Sequence, residues 1–253
     1  LDSLENLGFK IAKIKFLYPW ILILNMKLGV LFSGGKDSCY AAYLAKKEGH
    51  ELKCLLTILP DNNESYMFHY PNIRLTETQA QLMNIPYLSV YSHGEKEVEL
   101  KDLKNMLKIA KEKYKLDGVV SGAIQSNYQK ERVDRICQEL ELKSISPLWN
   151  ISHDIYMTGL ILNKFKVILV GIAADGLTKD FLGKEIDRNT LAKLKAINLG
   201  NSMHLAGEGG EYESFVLDCP MFSKEIIVKS SEIKMENSCT GILEIKRIEL
   251  KNK

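Results

Sequence analysis

A glycine-rich string with hydroxyl groups carries the clearest chemical signal in the sequence. Ser33-Gly34-Gly35-Lys36-Asp37-Ser38 follows a short apolar run and precedes a helical pattern. Glycines let the backbone approach an anion, and the N–H groups at the start of a helix attract it. The string is neither GxxxxGK[ST] nor GxGxxG. An ordinary capped turn is the alternative, but the complete string predicts a phosphate site contacted by Ser33, Gly34, Gly35, Lys36, Asp37 and Ser38.

A second Ser-Gly pair, Ser121-Gly122, follows another apolar run. In an open α/β sheet, ligands bind beyond the carboxyl ends of the strands. If the two runs form neighbouring strands, both Ser-Gly turns face one crevice, so Ser121 and Gly122 are predicted to contact the same ligand. Thr57, near the end of a third apolar run, is a further predicted contact. After Gly122, substrate contact and a solvated helix face stay open; the predicted substrate contacts are Gln125, Asn127, Tyr128 and Arg132.

The third cluster is acidic and, like the first, contains adjacent glycines. Gly207-Glu208-Gly209-Gly210-Glu211-Tyr212-Glu213-Ser214 crowds three carboxylates into six residues, and these repel one another unless a cation offsets them. A solvated acidic turn is one reading; a site for Mg²⁺, ammonium or a cationic substrate group is the other. We predict catalytic roles for Lys36, Asp37, Glu208 and Glu211. The predicted substrate contacts here are Gly209, Gly210, Glu211, Tyr212 and Glu213, with His69 as a weak candidate in the polar loop 61–70.

The elements that must position these clusters alternate along the chain. Apolar runs predict strands at 28–32, 52–59, 87–91, 116–120 and 167–173. Helical patterns fall at 36–48, 75–84, 98–114 and 125–140. Strands separated by helices of this length favour an α/β fold with a parallel five-stranded sheet flanked by helices. The predicted organisation is an extension at 1–25, a nucleotide-binding domain at 26–175 and a smaller α+β substrate-binding part at 176–253.

Composition narrows the class of protein. The chain has 253 residues, 45% of them hydrophobic and 26% charged, with a formal net charge of +2, which excludes a disordered chain and disfavours binding nucleic acid by bulk charge. Five cysteines without a CxxC pair favour a reducing cytoplasm. The apolar run at 16–24 is too short to span a bilayer, so no membrane partner is expected. A signal peptide is the less favoured reading of 1–25, and we expect the working protein to begin at Met26.

The string SGGKDS resembles the PP-loop of the N-type ATP pyrophosphatases. That resemblance implies a Rossmann-like sheet of the adenine nucleotide alpha-hydrolase-like kind and cleavage of ATP between the α and β phosphates. It implies that the loop grips pyrophosphate while AMP is transferred to an oxygen of the substrate. Asp37 is then a plausible Mg²⁺ ligand, because Mg²⁺ uses one or two carboxylates together with phosphate oxygens.

Five strings taken together resemble the diphthine–ammonia ligases: SGGKDSCYA, SYMFHYPN, SGAIQSNYQKERVDRICQEL, Pro147-Leu148-Trp149 and HLAGEGGEYESFVLDCP. The resemblance implies amidation of diphthine, a modified histidine of translation elongation factor 2, with ATP adenylating the carboxylate and ammonia displacing AMP. The chain has no room for a glutaminase domain, so free ammonium is the expected nitrogen source. The trimethylammonium group of diphthine could be held by charge and cation–π contact, through Glu208, Glu211, Tyr212 and Glu213. Ser214 stands where the family pattern leads us to expect threonine.

Two other functions stay open from the sequence. A PP-loop enzyme that modifies tRNA, by thiolation or lysidine formation, shares the loop, but thiolation would need a reactive cysteine and Cys39 is expected to pack in the first helix. A non-catalytic ATP sensor is the second alternative. No stable nucleic-acid partner is expected, and a homodimer is a further prediction.

Overall fold

The computed structural model describes residues 25–60, 72–92, 96–201 and 203–253. The predicted extension, up to residue 24, lies outside the described residues, and so does His69. Within the described ranges, no helix is long and apolar enough to cross a membrane.

The N-terminal part is built on a parallel five-stranded sheet with the strand order β3-β2-β1-β4-β5. The strands are β1 (Lys27–Leu31), β2 (Glu51–Pro60), β3 (Tyr87–Ser92), β4 (Gly118–Val120) and β5 (Lys143–Ile145). Alternate side chains of β1, Leu28 and Val30, are fully buried because this central strand is covered by helices. The strand order reverses between β1 and β4, which is where open α/β sheets bind ligands. The predicted fold class is confirmed.

Helices cover both faces of this sheet. They are α1 (Lys36–Lys47), α2 (Thr76–Met83), α3 (Lys96–Tyr114) and α4 (Asn127–Glu139). Met106, Leu107 and Ala110 recur on one side of α3 and pack in an apolar cluster with Ile136 of α4. Cys39 and its neighbours on α1 belong to a second cluster, which continues into the C-terminal part of the chain.

The C-terminal part contains an antiparallel four-stranded sheet with the order β7-β6-β9-β8. Its strands are β6 (Lys166–Ala173), β7 (Tyr212–Asp218), β8 (Lys224–Met235) and β9 (Thr240–Asn252), and its helices are α5 (His153–Leu162) and α6 (Arg188–Asn201). Strands β8 and β9 form a long, largely exposed ribbon whose side chains pair in a ladder of Lys and Glu.

One predicted strand belongs to the other sheet. The run 167–173 was expected to be the fifth strand of the parallel sheet, but β6 lies inside the antiparallel sheet. Burial on both faces gives either kind of strand a continuous apolar run, so the sequence could not distinguish them. The true fifth strand, β5, is only three residues long and begins Lys-Ser, so it carries no apolar signal. A division at residue 175 therefore cuts the second sheet, whereas a division between β5 and β6 keeps both sheets whole.

Candidate active site

The glycine-rich turn after β1 is shaped by close contacts on both of its glycines. Gly34 has φ +78°, and a Cβ built there would lie 2.4 Å from Gln79 Oε1. The hydroxyl of Ser38 accepts a hydrogen bond from the Ser33 N–H and can donate one to the Gly35 carbonyl, each at 3.2 Å. Gly35 occupies the N-cap of α1 and has no side chain with which to cap it. The helix start is therefore available to an anion.

The second Ser-Gly turn lies directly against the first. Strands β1 and β4 are hydrogen-bonded neighbours, so their carboxyl ends meet at the switch point. A Cβ built on Gly122 would come within 2.8 Å of the Asp37 carbonyl carbon and the Ser38 nitrogen, so glycine is needed for this approach. The Ser121 and Ser146 hydroxyls lie 2.9 Å apart.

The acidic segment is anchored onto the glycine-rich turn by strand β7. The backbone N–H of Lys36 donates to Ser214 Oγ at 3.1 Å, and the N–H of Val216 donates to the Gly34 carbonyl at 3.1 Å. The amide of Gln79 donates to both Gly34 and Val216 carbonyls, at 3.1 and 2.8 Å. These bonds bring the first and third sequence clusters together across the two sheets.

Glu208 binds the start of helix α4. Its Oε1 accepts hydrogen bonds from the backbone N–H groups of Ile124, Gln125 and Ser126 at 2.9, 2.7 and 2.9 Å. Three N–H donors at a helix start form a favourable site for an anion. The carboxylate of Glu208 therefore ties the acidic segment to the second cluster.

Glu211 lies beneath the acidic turn. Its Oε1 accepts from the His204 backbone N–H at 2.8 Å, whereas its Oε2 is buried and has no partner among the described residues. A Cβ on Gly209 would lie 2.8 Å from Glu211 Oε1, which explains the glycine at that position. Burial lowers the pKa of His204, and the nearby ring of His153, with a centroid separation of 3.9 Å, lowers it further.

Glu213, the second residue of strand β7, faces the cleft. Burial raises the pKa of its carboxyl group to about 7; the Asp37 carboxylate raises it as well, while the Lys36 ammonium opposes both. A carboxyl with a pKa near neutrality can exchange a proton under ordinary conditions.

Lys36 points into the protein rather than into the cleft. Its Nζ lies 3.0 Å from both carboxylate oxygens of Asp37 and 5.1 Å from the centroid of the Tyr212 ring. The hydroxyl of Tyr156 donates to Asp37 Oδ1 at 2.7 Å. Tyr212 is fully buried and donates its own hydroxyl to the Leu205 carbonyl. The structure therefore places the ring of Tyr212 against the Lys36 ammonium and away from the cleft, and its predicted contact with the substrate stays a prediction.

The three clusters meet in a cleft of about 620 Å³. One wall is apolar, with Leu56 and Ile58 of β2 facing Leu103 and Met106 of α3. Thr57 does not line the cleft: its side chain points to the opposite face of β2 and donates to the Phe32 carbonyl at 2.7 Å. The side chains that line the cleft from this strand are those of its two neighbours, Leu56 and Ile58, and the predicted contact of Thr57 stays a prediction.

Apart from His69, which lies outside the described residues, the predicted site residues divide into two groups. Those that line the cleft are Ser33, Gly35, Asp37, Ser38, Ser121, Gly122, Tyr128, Arg132, Glu208, Gly209, Gly210 and Glu213. Those that do not are Gly34, Lys36, Thr57, Gln125, Asn127, Glu211 and Tyr212. Arg132 stacks over the ring of Tyr128 with its guanidinium carbon 3.2 Å from the centroid.

The surroundings of Asp37 do not suit the predicted Mg²⁺ ligand. Both of its oxygens contact the Lys36 ammonium, and one also accepts from Tyr156. An ammonium group beside the carboxylate repels a second cation.

Sequence reasoning missed several residues that build the site. Ser214 and Gln79 bind the glycine-rich turn, and His204 binds Glu211. Ser214 ends the acidic segment at 207–214, so its hydroxyl is visible in the sequence, whereas Gln79 lies on α2 far from any motif. The apolar wall could not be separated from ordinary core by periodicity alone.

The fold and the site together define a class of protein. A glycine-rich SGGKDS turn stands at the carboxyl end of the central strand of a parallel sheet, beside a second Ser-Gly turn and a cleft with one apolar wall. These features define a nucleotide-binding α/β protein of the PP-loop class.

Comparison with known proteins gives the family. Residues 26–144 match the diphthamide synthase N-terminal domain and residues 152–250 match the diphthamide synthase C-terminal domain. The diphthine–ammonia ligase of Mus musculus is 36% identical over 237 residues, which cover 84% of this chain and 86% of the mouse protein. That of Homo sapiens is 34% identical over 233 residues, with 84% and 86% covered. The chain belongs to the diphthamide synthase family.

Proposed function

We propose that this protein is a diphthine–ammonia ligase, which uses ATP to convert the diphthine carboxylate of translation elongation factor 2 into the amide of diphthamide. The observation that carries the proposal is the joining of the acidic segment to the phosphate loop through Ser214 and Val216. The carboxylate of diphthine and the phosphates of ATP would meet where the acidic segment touches the phosphate loop. The cytoplasm is the expected location of such a reaction.

The reaction has two steps. In the first, a carboxylate oxygen of diphthine attacks the α-phosphorus of ATP, and pyrophosphate leaves with the electrons of the broken P–O bond. In the second, the nitrogen of ammonia attacks the acyl carbon, and AMP leaves with the electrons of the broken C–O bond. Adenylation is needed because a carboxylate oxygen is too poor a leaving group to be displaced by ammonia directly.

The phosphate loop would hold the pyrophosphate through the backbone N–H groups at the start of α1, with the Ser33 and Ser38 hydroxyls fixing the turn. The apolar wall of Leu56, Ile58 and Met106 would hold the adenine ring. We infer that Mg²⁺ enters with ATP on its phosphate oxygens, and we assign no carboxylate of the protein to it. Magnesium would neutralise charge on the departing pyrophosphate.

Glu208 is assigned a positioning role rather than a catalytic one. Its Oε1 already accepts three backbone N–H bonds at the start of α4, and these bonds fix the position of the carboxylate. Lys36 is buried beside Asp37, and we assign it to hold the Asp37 carboxylate and to add positive potential beneath the loop.

Exchange of radiolabelled pyrophosphate into ATP tests this function. We expect exchange when the protein is given elongation factor 2 that carries diphthine, and none with the unmodified factor, because only diphthine supplies the carboxylate. Exchange that requires tRNA instead would overturn the proposal in favour of a tRNA-modifying enzyme. ATP binding without exchange on any of these substrates would favour a sensor.

The surroundings of three buried cysteines weigh against a role for them in thiolation. Cys39 follows the loop directly, but it is buried, and burial raises its pKa well above the ordinary value for a thiol. Burial likewise raises the pKa of Cys54 and of Cys219 to about 12. A buried thiol that resists ionisation is a poor nucleophile.

A further inference from the structure

The carboxylate of Glu213 differs from the other acidic groups around the cleft because it has no hydrogen-bond partner among the described residues. Asp37 contacts Lys36 and Tyr156, Glu208 accepts three backbone N–H bonds, and Glu211 accepts one from His204. Glu213 lines the cleft together with Asp37 and Glu208. Its oxygens are therefore free to accept a proton or a hydrogen bond from a ligand.

The backbone holds Glu213 rigidly at this position. The next residue, Ser214, accepts a hydrogen bond from the start of α1 at 3.1 Å, which fixes the strand against the phosphate loop. On the neighbouring strand β6, a Cβ at Gly171 would lie 3.0 Å from Glu213 Cβ and 3.2 Å from its Cγ. Glycine at 171 therefore leaves the space through which the Glu213 side chain runs toward the cleft.

The second step of the proposed reaction needs a proton acceptor. Ammonium is almost entirely protonated at neutral pH, and a protonated nitrogen has no electron pair with which to attack. A group in the cleft must take one proton so that the N–C bond can form. The new amide then loses a second proton to solvent as the C–O bond to AMP breaks.

We propose that Glu213 is the catalytic residue that takes the proton from ammonium, and that its carboxylate binds the ammonium ion before transfer. This inference rests on the proposed function. In the transfer, Glu213 Oε gains the proton, ammonia attacks the acyl carbon, and AMP leaves with the bonding electron pair; solvent then removes the proton from Glu213.

The electrostatics around Glu213 support this role. Burial raises its pKa to about 7, which is close to the value at which a general base is most effective near neutral pH. Asp37 acts in the same direction and Lys36 in the opposite one. The other charged groups that line the cleft are Glu208 and Arg132, and the latter is stacked on Tyr128.

The variant Glu213→Gln separates the two steps. With elongation factor 2 that carries diphthine, we expect it to retain most of the pyrophosphate exchange of the unaltered protein and to lose about 100-fold or more in amide formation. Hydroxylamine is uncharged at neutral pH, so its nitrogen can attack the acyl carbon without first losing a proton. It should restore acyl transfer as the hydroxamate, with the one remaining proton lost to solvent. The control Glu249→Gln changes an exposed carboxylate on β9 and should alter neither step.

The pH dependence gives a second readout. The amidation rate of the unaltered protein should rise with pH through about 7, and the residual rate of Glu213→Gln should lack that step. Amidation by the variant at the normal rate would overturn the proposal, and so would loss of exchange together with amidation or a failure of hydroxylamine to restore acyl transfer. Failure of the proposed function itself would look different, since the unaltered protein would then show no exchange with diphthine.

Discussion

The phosphate loop at 33–38 and the acidic segment at 207–214 are both glycine-rich turns beside a strand, but they treat charge in opposite ways. The phosphate loop satisfies its own hydroxyls internally and leaves the start of α1 available to an anion. The acidic segment carries three carboxylates, and two of them bind backbone N–H groups of this protein. Glu213 alone of these three has no hydrogen bond among the described residues.

This difference separates the residues that build the site from the one that we propose to act in it. A carboxylate that accepts backbone N–H bonds is held in one position by them, which fixes the geometry of the segment. A buried carboxylate without donors has a raised pKa and can exchange protons. The same residue type therefore has two roles within six positions, and the hydrogen-bond partners decide which.

The largest effect is expected when a side chain is introduced at Gly122, where the two Ser-Gly turns are in contact. In Gly122→Val the new side chain meets backbone atoms at 2.8 Å, so the start of α1 must move. We expect pyrophosphate exchange to fall about 100-fold or more, because small displacements of reacting groups have effects of this size. Gly200→Ala is the matched control, since nothing lies within 4 Å of a Cβ there. Equal exchange in the two variants would contradict this description of the site.

The second-largest effect is expected on the pH dependence of the free energy of unfolding, in the variant Glu213→Gln. The folded-state pKa of Glu213 is about 7 against an ordinary value of 4.5, so the folded protein loses stability as pH rises through this window. Glu213→Gln does not ionise and escapes this loss. We take the difference between the free energy of unfolding of the variant and that of the unaltered protein, measured with urea at each pH. We expect this difference to be about 3 kcal/mol larger at pH 8 than at pH 4. A difference that does not change with pH would contradict the raised pKa.

A smaller effect is expected for the carboxylate that binds α4. Glu208→Gln keeps an oxygen acceptor but loses the charge that favours the three N–H bonds, and we expect about 1–2 kcal/mol of destabilisation. The KM for the protein substrate should rise more than kcat falls, because Glu208 positions the segment rather than reacting. A fall in kcat alone would instead indicate a catalytic role.

The smallest effect is expected for the hydrogen bond that joins the acidic segment to the phosphate loop at Ser214. Ser214→Ala removes the acceptor for the Lys36 N–H and should cost about 1 kcal/mol of stability, with a rise in the KM for ATP. Ser214→Thr keeps the hydroxyl and should behave like the unaltered protein. If Thr and Ala raised the KM for ATP equally, the hydrogen bond would not be the relevant feature.

The sequence was informative where local chemistry decides the structure. The turn at Gly34 needs a positive φ, and the alternation of apolar runs predicts the parallel sheet. The sequence failed where distant packing decides: β5 is too short and polar to be recognised, and β6 is apolar because it is buried inside the second sheet. The face to which Thr57 points could not be predicted, because a strand whose residues are nearly all apolar shows no alternation in its sequence.

The individual carboxylates could not be assigned from the sequence. Glu208, Glu211 and Glu213 are equivalent as letters, and their roles depend on backbone N–H groups that come from residues 124–126 and 204. Tyr212 was predicted to bind a cationic substrate, but the cation over its ring is Lys36, which comes from the phosphate loop. Such pairings depend on how two sheets pack and require the structure.

The most direct test of the central claim follows isotopically labelled ammonium into elongation factor 2 that carries diphthine, by mass spectrometry. We predict that the unaltered protein with ATP adds one labelled nitrogen to the modified histidine. Glu213→Gln should add almost none, although it forms the hydroxamate when hydroxylamine replaces ammonium. Labelled amide formed by Glu213→Gln at the normal rate would contradict the account, and so would a variant that forms neither product.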